Sequence, residues 1–178
     1  MFEKTNAMQR VKNYLRNHNF RYVPFNESNR PLLITDVDCI IIPCSAENVI
    51  GKSIEVQLRF REEYLYLMAY YSQIFATPDK YTELMRLLNY INGHLCYESI
   101  LMHAMVLDEE TGYIYNGVQI RYETLEEFFF DVMDYALSFQ KQLLENICIP
   151  AVMIQTGEWD FYKARKYIGS ELMHSSIE

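Results

Sequence analysis

The sequence predicts an α+β fold in which one twisted antiparallel sheet is flanked by helices. Three observations carry this. Residues 54–61 alternate without error, Ile54, Val56, Leu58 and Phe60 against Glu55, Gln57, Arg59 and Arg61, which is the period of a strand covered on one side only. Two apolar runs, 99–107 and 113–122, are joined by Asp108, Glu109, Glu110, Thr111 and Gly112, a hairpin turn whose glycine can take positive φ. Three segments, 4–18, 77–92 and 124–146, repeat apolar side chains at helical spacing.

The elements follow in order. In the first helix Ala7, Met8, Val11, Tyr14 and Leu15 share a face. Residues 20–25 read as extended, 26–31 as a turn, and 32–34 and 39–42 as short strands. Residues 61–64 make a tight connection into a strand over 64–72. There Leu65, Leu67 and Ala69 alternate with Tyr66, Met68 and Tyr70, so both faces are apolar and the strand is central. Thr77 caps the second helix and Pro78 takes its first position. Tyr81, Leu84, Met85, Leu88 and Ile91 form its stripe, and Gly93 after Asn92 ends it.

The third helix opens on Thr124 and Glu127, the spacing of a capping box, and runs to about Asn146. Leu125, Phe128, Phe129, Val132, Met133, Ala136, Leu143 and Ile147 form its core stripe. Phe130, Leu137 and Leu144 widen the stripe on one flank, Tyr135 and Phe139 on the other. The apolar arc covers roughly 200°, about twice what a surface helix needs. One side meets the sheet, and the other requires a subunit, a client or the C-terminal tail. Beyond Pro150, residues 151–154 are apolar, and 156–168 read as a short helix carrying Trp159, Phe161, Tyr162, Ala164 and Ile168.

Composition bounds the function. The chain has 178 residues, half of them hydrophobic, with 15 Tyr and 10 Phe against a single Trp, which fits one globular core rich in rings that keep a polar tip. Sixteen basic against 24 acidic side chains give a net charge of −8. That charge repels phosphate backbones, and Lys163, Ala164, Arg165 and Lys166, the densest basic stretch, is too short to reverse it. No nucleic acid is expected as a partner. The N-terminus lacks the apolar run of a signal peptide, and no stretch reaches membrane-spanning length. Four cysteines without an export signal read as reduced thiols of a cytoplasmic protein.

The element order is α-β-β-β-(β)-α-β-β-α, followed by a helical extension. With the segment Leu87-Leu88-Asn89-Tyr90-Ile91-Asn92 and the acidic-turn hairpin, it resembles the YbjN-type family. That family is similar in fold to the type III secretion chaperones. The resemblance covers roughly 5–146; the stretch 26–52 and the tail after 146 depart from it. It implies a chaperone-like domain over 1–146, with 147–178 packed on the same domain. It further implies a protein-interaction or regulatory role, often as a homodimer, and no catalytic residues.

Cys39 and Cys44 form no metal site with Cys96 and Cys148, because a second close pair is missing and a strand turns the two to opposite faces. His94, Cys96 and His103 lack the glycine-rich turn and oxyanion donors that nucleophilic catalysis requires. Asp36 and Asp38 lie outside any βαβ context and read as a solvated turn. No cofactor or metal is expected, and no enzyme. The expected partner-binding residues are Tyr64, Tyr66, Tyr70, Tyr113 and Tyr115 on the strands, with Tyr71 beside them, and Phe130, Tyr135 and Phe139 on the wide helix face. The alternative is a small-ligand sensor with an apolar pocket walled by Tyr and Met between helices and sheet.

Overall fold

Helix α1 (Lys4–Asn17) forms where Ala7, Val11 and Leu15 recur every four residues, and all three are fully buried. The computed structural model describes residues 3–24, 38–47, 49–95 and 104–171. The turn at 26–31, the strand at 32–34, Asp36, Cys96, His103 and the first part of the strand expected at 99–107 lie outside the described residues.

The sheet contains β1 (Val23–Pro24), β2 (Cys39–Ser45), β3 (Ser53–Phe60), β4 (Tyr64–Phe75), β5 (Ala104–Leu107) and β6 (Tyr113–Arg121). Its order is β1-β2-β3-β4-β6-β5, and every pair is antiparallel. The α+β architecture with β4 central is therefore as the sequence predicts. Register sets Leu58 opposite Leu67 and Leu67 opposite Val118. One face thus collects Ile40, Ile42, Ile54, Val56, Leu58, Phe60, Leu65, Leu67, Ala69, Tyr71, Ile114 and Val118, which join the helices in one core cluster.

Strand β3 departs from expectation. It is buried from Ile54 to Phe60, including Glu55, Gln57 and Arg59 on the face turned away from that cluster. Alternation marks which side chains are polar; it does not mark where water is. These three are accommodated because they hydrogen-bond among themselves and with Tyr70.

A 3-10 turn (Pro78–Lys80) leads into α2 (Tyr81–Leu95). Thr77 does not cap it: the Thr77 hydroxyl donates to Asp79 at 2.7 Å and accepts from Gln155 Nε2 at 2.9 Å. Nor does Gly93 end the helix, which continues through it. Leu84, Leu87, Leu88 and Ile91 are buried, while Met85 of the predicted stripe is exposed. Asn92 instead holds the edge strand, donating to Met105 O at 2.9 Å and accepting from Met105 N at 2.7 Å.

The long helix expected over 124–146 is divided. It begins directly after β6 as α3 (Tyr122–Glu127), so the Thr124/Glu127 capping box is not used. The Tyr122 hydroxyl, at the first position of α3, donates to the backbone O of Arg61. Phe128 breaks the helix with φ −112° and ψ 39° before α4 (Phe129–Asp134). A π turn (Tyr135–Phe139) then leads into α5 (Gln140–Gln155), which passes through Pro150. Both irregularities shift the helical phase, so part of the apparent 200° arc is a straight-helix reading of a bent element. Leu137, Leu144 and Tyr135 are buried, whereas Phe130 is 66% exposed. Helix α6 (Phe161–Glu171) packs on α5 and α2, with Ala164 and Ile168 fully buried.

Gly112 holds φ +75°, and a Cβ there would stand 2.6 Å from Ala76 O. Gly112→Ala is expected to destabilise the fold by ~2–3 kcal/mol, from left-handed backbone strain and the backbone clash; an unchanged urea midpoint would contradict that reading. Asn92→Ala should cost about 1–2 kcal/mol and raise amide hydrogen exchange in β5 first.

Candidate functional site

The sheet face turned from the helices is where period-two alternation places Tyr64, Tyr66 and Tyr70 of β4 together with Tyr113 and Tyr115 of β6. Register puts Tyr70 opposite Tyr115 and Tyr66 opposite Gln119. The Tyr70 and Tyr113 rings meet edge to face at 5.4 Å, and Phe75 lies 4.8 Å from Tyr113. A bulge between Tyr70 and Phe75 brings Phe75 to that place. Gly117 leaves the space over which Tyr66 lies. A Cβ on it would lie 2.7 Å from Tyr66 Oη and 3.3 Å from the Tyr115 ring, so Tyr66 extends across β6 beside Tyr115. A glycine inside a strand is the sequence signal for such close approach.

Beside the rings runs a buried polar chain. Tyr70 Oη donates to Glu55 Oε2 at 2.7 Å and accepts from Gln57 Nε2 at 2.8 Å. Gln57 Oε1 in turn accepts from Arg59 Nε at 3.0 Å and Nη2 at 2.6 Å. Burial draws the Arg59 pKa down, opposed by Cys39 and Tyr66. The Tyr66 phenol is pushed up to about 12, first by burial and then by Tyr115. The chain fixes Tyr70 in place, and the rings of Tyr64, Tyr66, Tyr113 and Tyr115 around it are only half-buried. Toward β2 the same face closes, with Cys39 and Ile41 buried; toward β5, Ala104 and Gln119 are exposed.

The remaining aromatic candidates lie elsewhere. Tyr71 points into the core, fully buried, and its hydroxyl donates to Leu144 O at 2.6 Å. Phe130 projects from α4 beside Tyr14 and Phe129. Tyr135 and Phe139 stack at 5.2 Å within the π turn, on the helical side of the sheet. The strand tyrosines and the helix aromatics therefore form separate surfaces.

That helical side holds polar groups that sequence reasoning missed. Asn116 Nδ2 donates to Tyr135 Oη at 3.3 Å, but the fully buried Asn116 Oδ1 has no partner. Gln140, which closes the π turn through its backbone N–H to Tyr135 O, is also fully buried, with both amide atoms unpartnered. A lone Gln in a polar-apolar pattern gives no signal of its burial.

Cys39 and Cys44 stand on opposite faces of β2, and with Cys148 they are free thiols. Burial pushes the Cys44 and Cys148 thiols up. Asp38 pairs with Lys4 at 2.8 Å, and Lys4 also reaches Glu62 at 3.0 Å; these hydrogen bonds raise the Lys4 pKa. The His94 ring lies 4.2 Å from that of Tyr90, with its Nδ1 2.7 Å from Tyr90 O. Asp108 Oδ1 accepts from the backbone N–H of Glu110 and Thr111, ordering the hairpin turn. Among the described residues no group of three or more His, Cys, Asp or Glu could hold a metal ion, and no helix is long and apolar enough to cross a membrane.

No family model, curated protein or solved structure matches the chain.

Two outcomes follow from these buried groups. Tyr66 and Tyr122 titrate in the fold near 12, and Tyr71 well above the usual value of about 10. The unfolded chain releases these protons first, so stability is retained below about pH 10 and falls as pH rises toward about 12. Urea midpoints that stay flat from about pH 10 upward would refute this. Gln140→Met, which removes two unpartnered buried atoms at similar volume, should stabilise the fold by ~1–3 kcal/mol, read as a higher midpoint at unchanged m-value.

Proposed function

We propose that the chain is a non-enzymatic protein-interaction module. Its contact surface is the β4–β6–β5 part of the sheet face turned from the helices. One observation carries this reading: Tyr64, Tyr66, Tyr113 and Tyr115 stand half-exposed around a Tyr70 held by Glu55 and Gln57. Tyrosine offers large contact area with few torsions to freeze, and rings already held by neighbours lose less entropy on binding. The resemblance to the YbjN-type family and to type III secretion chaperones supports the same role. The partner is a protein, a client or regulator, met in the cytoplasm; a second copy of the chain is the other partner consistent with that resemblance.

The reading is preferred to a sensor with an apolar pocket between helices and sheet. That interface is occupied by fully buried side chains, among them Leu67, Ala69, Tyr71, Ala136 and Leu144.

The test is site-specific photo-crosslinking in cells, with the photoreactive residue at position 115 and, as control, at exposed position 130. A defined protein adduct is expected at 115 and absent at 130. Once that partner is purified, Tyr115→Ala should weaken binding by ~1–2 kcal/mol, about tenfold in Kd. Adducts of equal yield at both positions, or none at 115, would remove the proposal; an adduct of twice the chain's own mass identifies the partner as a second copy.

A further inference from the structure

We propose that the groove between α2 and α6 is a separate binding site for a phosphorylated small molecule carrying a planar ring, the nucleoside monophosphates being the class that suits it. The groove is open to solvent, offers about 330 Å³ and is lined by Tyr90, Tyr162, Arg165, Lys166 and Gly169, a volume at the small end of ligand sites. Four of these residues, 162, 165, 166 and 169, fall at i, i+3, i+4 and i+7 of α6 and so form one helical stripe. The opposite stripe, with Ala164 and Ile168, is buried against the protein. Gly169 adds no side chain to the groove, and a Cβ there would reach to within 3.7 Å of Tyr90 Oη.

The two cations in the lining make an anion the ligand that fits. Acidic side chains outnumber basic ones, 24 to 16, and Lys4, Lys80, Arg86 and Lys141 each have a carboxylate within 4.0 Å. Arg165 and Lys166 have no ion pair among the described residues, as is also true of Lys12, Arg16, Arg21, Lys52, Arg121 and Lys163; what sets them apart is that they are adjacent and line the same groove. Neither lies in the last turn of α6, where a cation would be explained by the helix dipole. The Arg165 guanidinium is 5.0 Å from the Tyr90 ring centroid, which positions it at the wall. Two adjacent cations suit the oxygens of one phosphate.

The ring requirement comes from Tyr162, 66% exposed at the mouth of the groove, with the Arg86 guanidinium 5.3 Å from its centroid. The walls are fixed. Glu83 of α2 accepts the Phe161 backbone N–H at 2.8 Å and pairs with Arg86 at 3.2 Å, while Asp160 caps α6 through the Lys163 N–H at 2.8 Å. An extended acidic chain is opposed by the net charge of −8. The site lies away from the tyrosine face and does not depend on the interaction reading.

Isothermal titration calorimetry of the full chain with adenosine monophosphate, inorganic phosphate and adenosine tests this. Saturable binding of the monophosphate is expected, with phosphate and adenosine each weaker by about tenfold or more. The double variant Arg165→Gln, Lys166→Gln should lose about tenfold or more in affinity for the monophosphate at unchanged thermal midpoint, because both side chains are exposed. Tyr162→Ala should weaken the monophosphate and leave inorganic phosphate unaffected. No saturable binding of the monophosphate, equal affinity in the double variant, or phosphate binding as tightly as the monophosphate would each overturn the proposal.

Discussion

The register of β3 on β4 is the constraint on which the other features depend. With Val56 opposite Ala69 and Leu58 opposite Leu67, every apolar side chain of β3 meets one of β4 on the helical face. The same pairing sets Glu55 opposite Tyr70 and Arg59 opposite Tyr66 on the other face. A slip of one residue would exchange the faces, placing Glu55, Gln57 and Arg59 beneath the helices. The hydrophobic core and the tyrosine surface are thus two consequences of a single alignment.

Buried polar groups divide sharply between the two faces. On the tyrosine face Gln57 has both amide atoms engaged, and Tyr70 both donates and accepts. Such a satisfied chain holds ring positions more tightly than apolar contact would, because moving one ring leaves several groups unpaired at once. On the helical face Asn116 and Gln140 retain unpartnered atoms beside the π turn. Unpaired buried groups cost stability and are retained for a reason other than stability, or with a water that completes them.

The helical layer shows how local irregularity serves packing. The break at Phe128 and the π turn at 135–139 let one run of chain leave β6, turn past α1 and then lie along β4. Tyr71 anchors that last stage through Leu144 O, and α6 then covers α5 and α2. The C-terminal segment is thereby part of the same core as the first helix, since Ile168 and Val11 belong to one cluster.

What the sequence by itself determined is the set of elements and the composition of their faces. Alternation in 54–60 and 64–71, the Gly112 turn and the helical stripes are short-range patterns, and short-range patterns are set by backbone period and side-chain chemistry. The convergence of Tyr64, Tyr66, Tyr70, Tyr113 and Tyr115 was legible for the same reason, once the two strands share a sheet. Only the tertiary structure decided which polar residues were buried, where the long helix broke, and that Tyr71 turns into the core, away from the tyrosine face. It also brought Tyr90 of α2 to Arg165 and Lys166 of α6. These depend on what packs across from each residue, and a distant segment's position is not encoded in any local period.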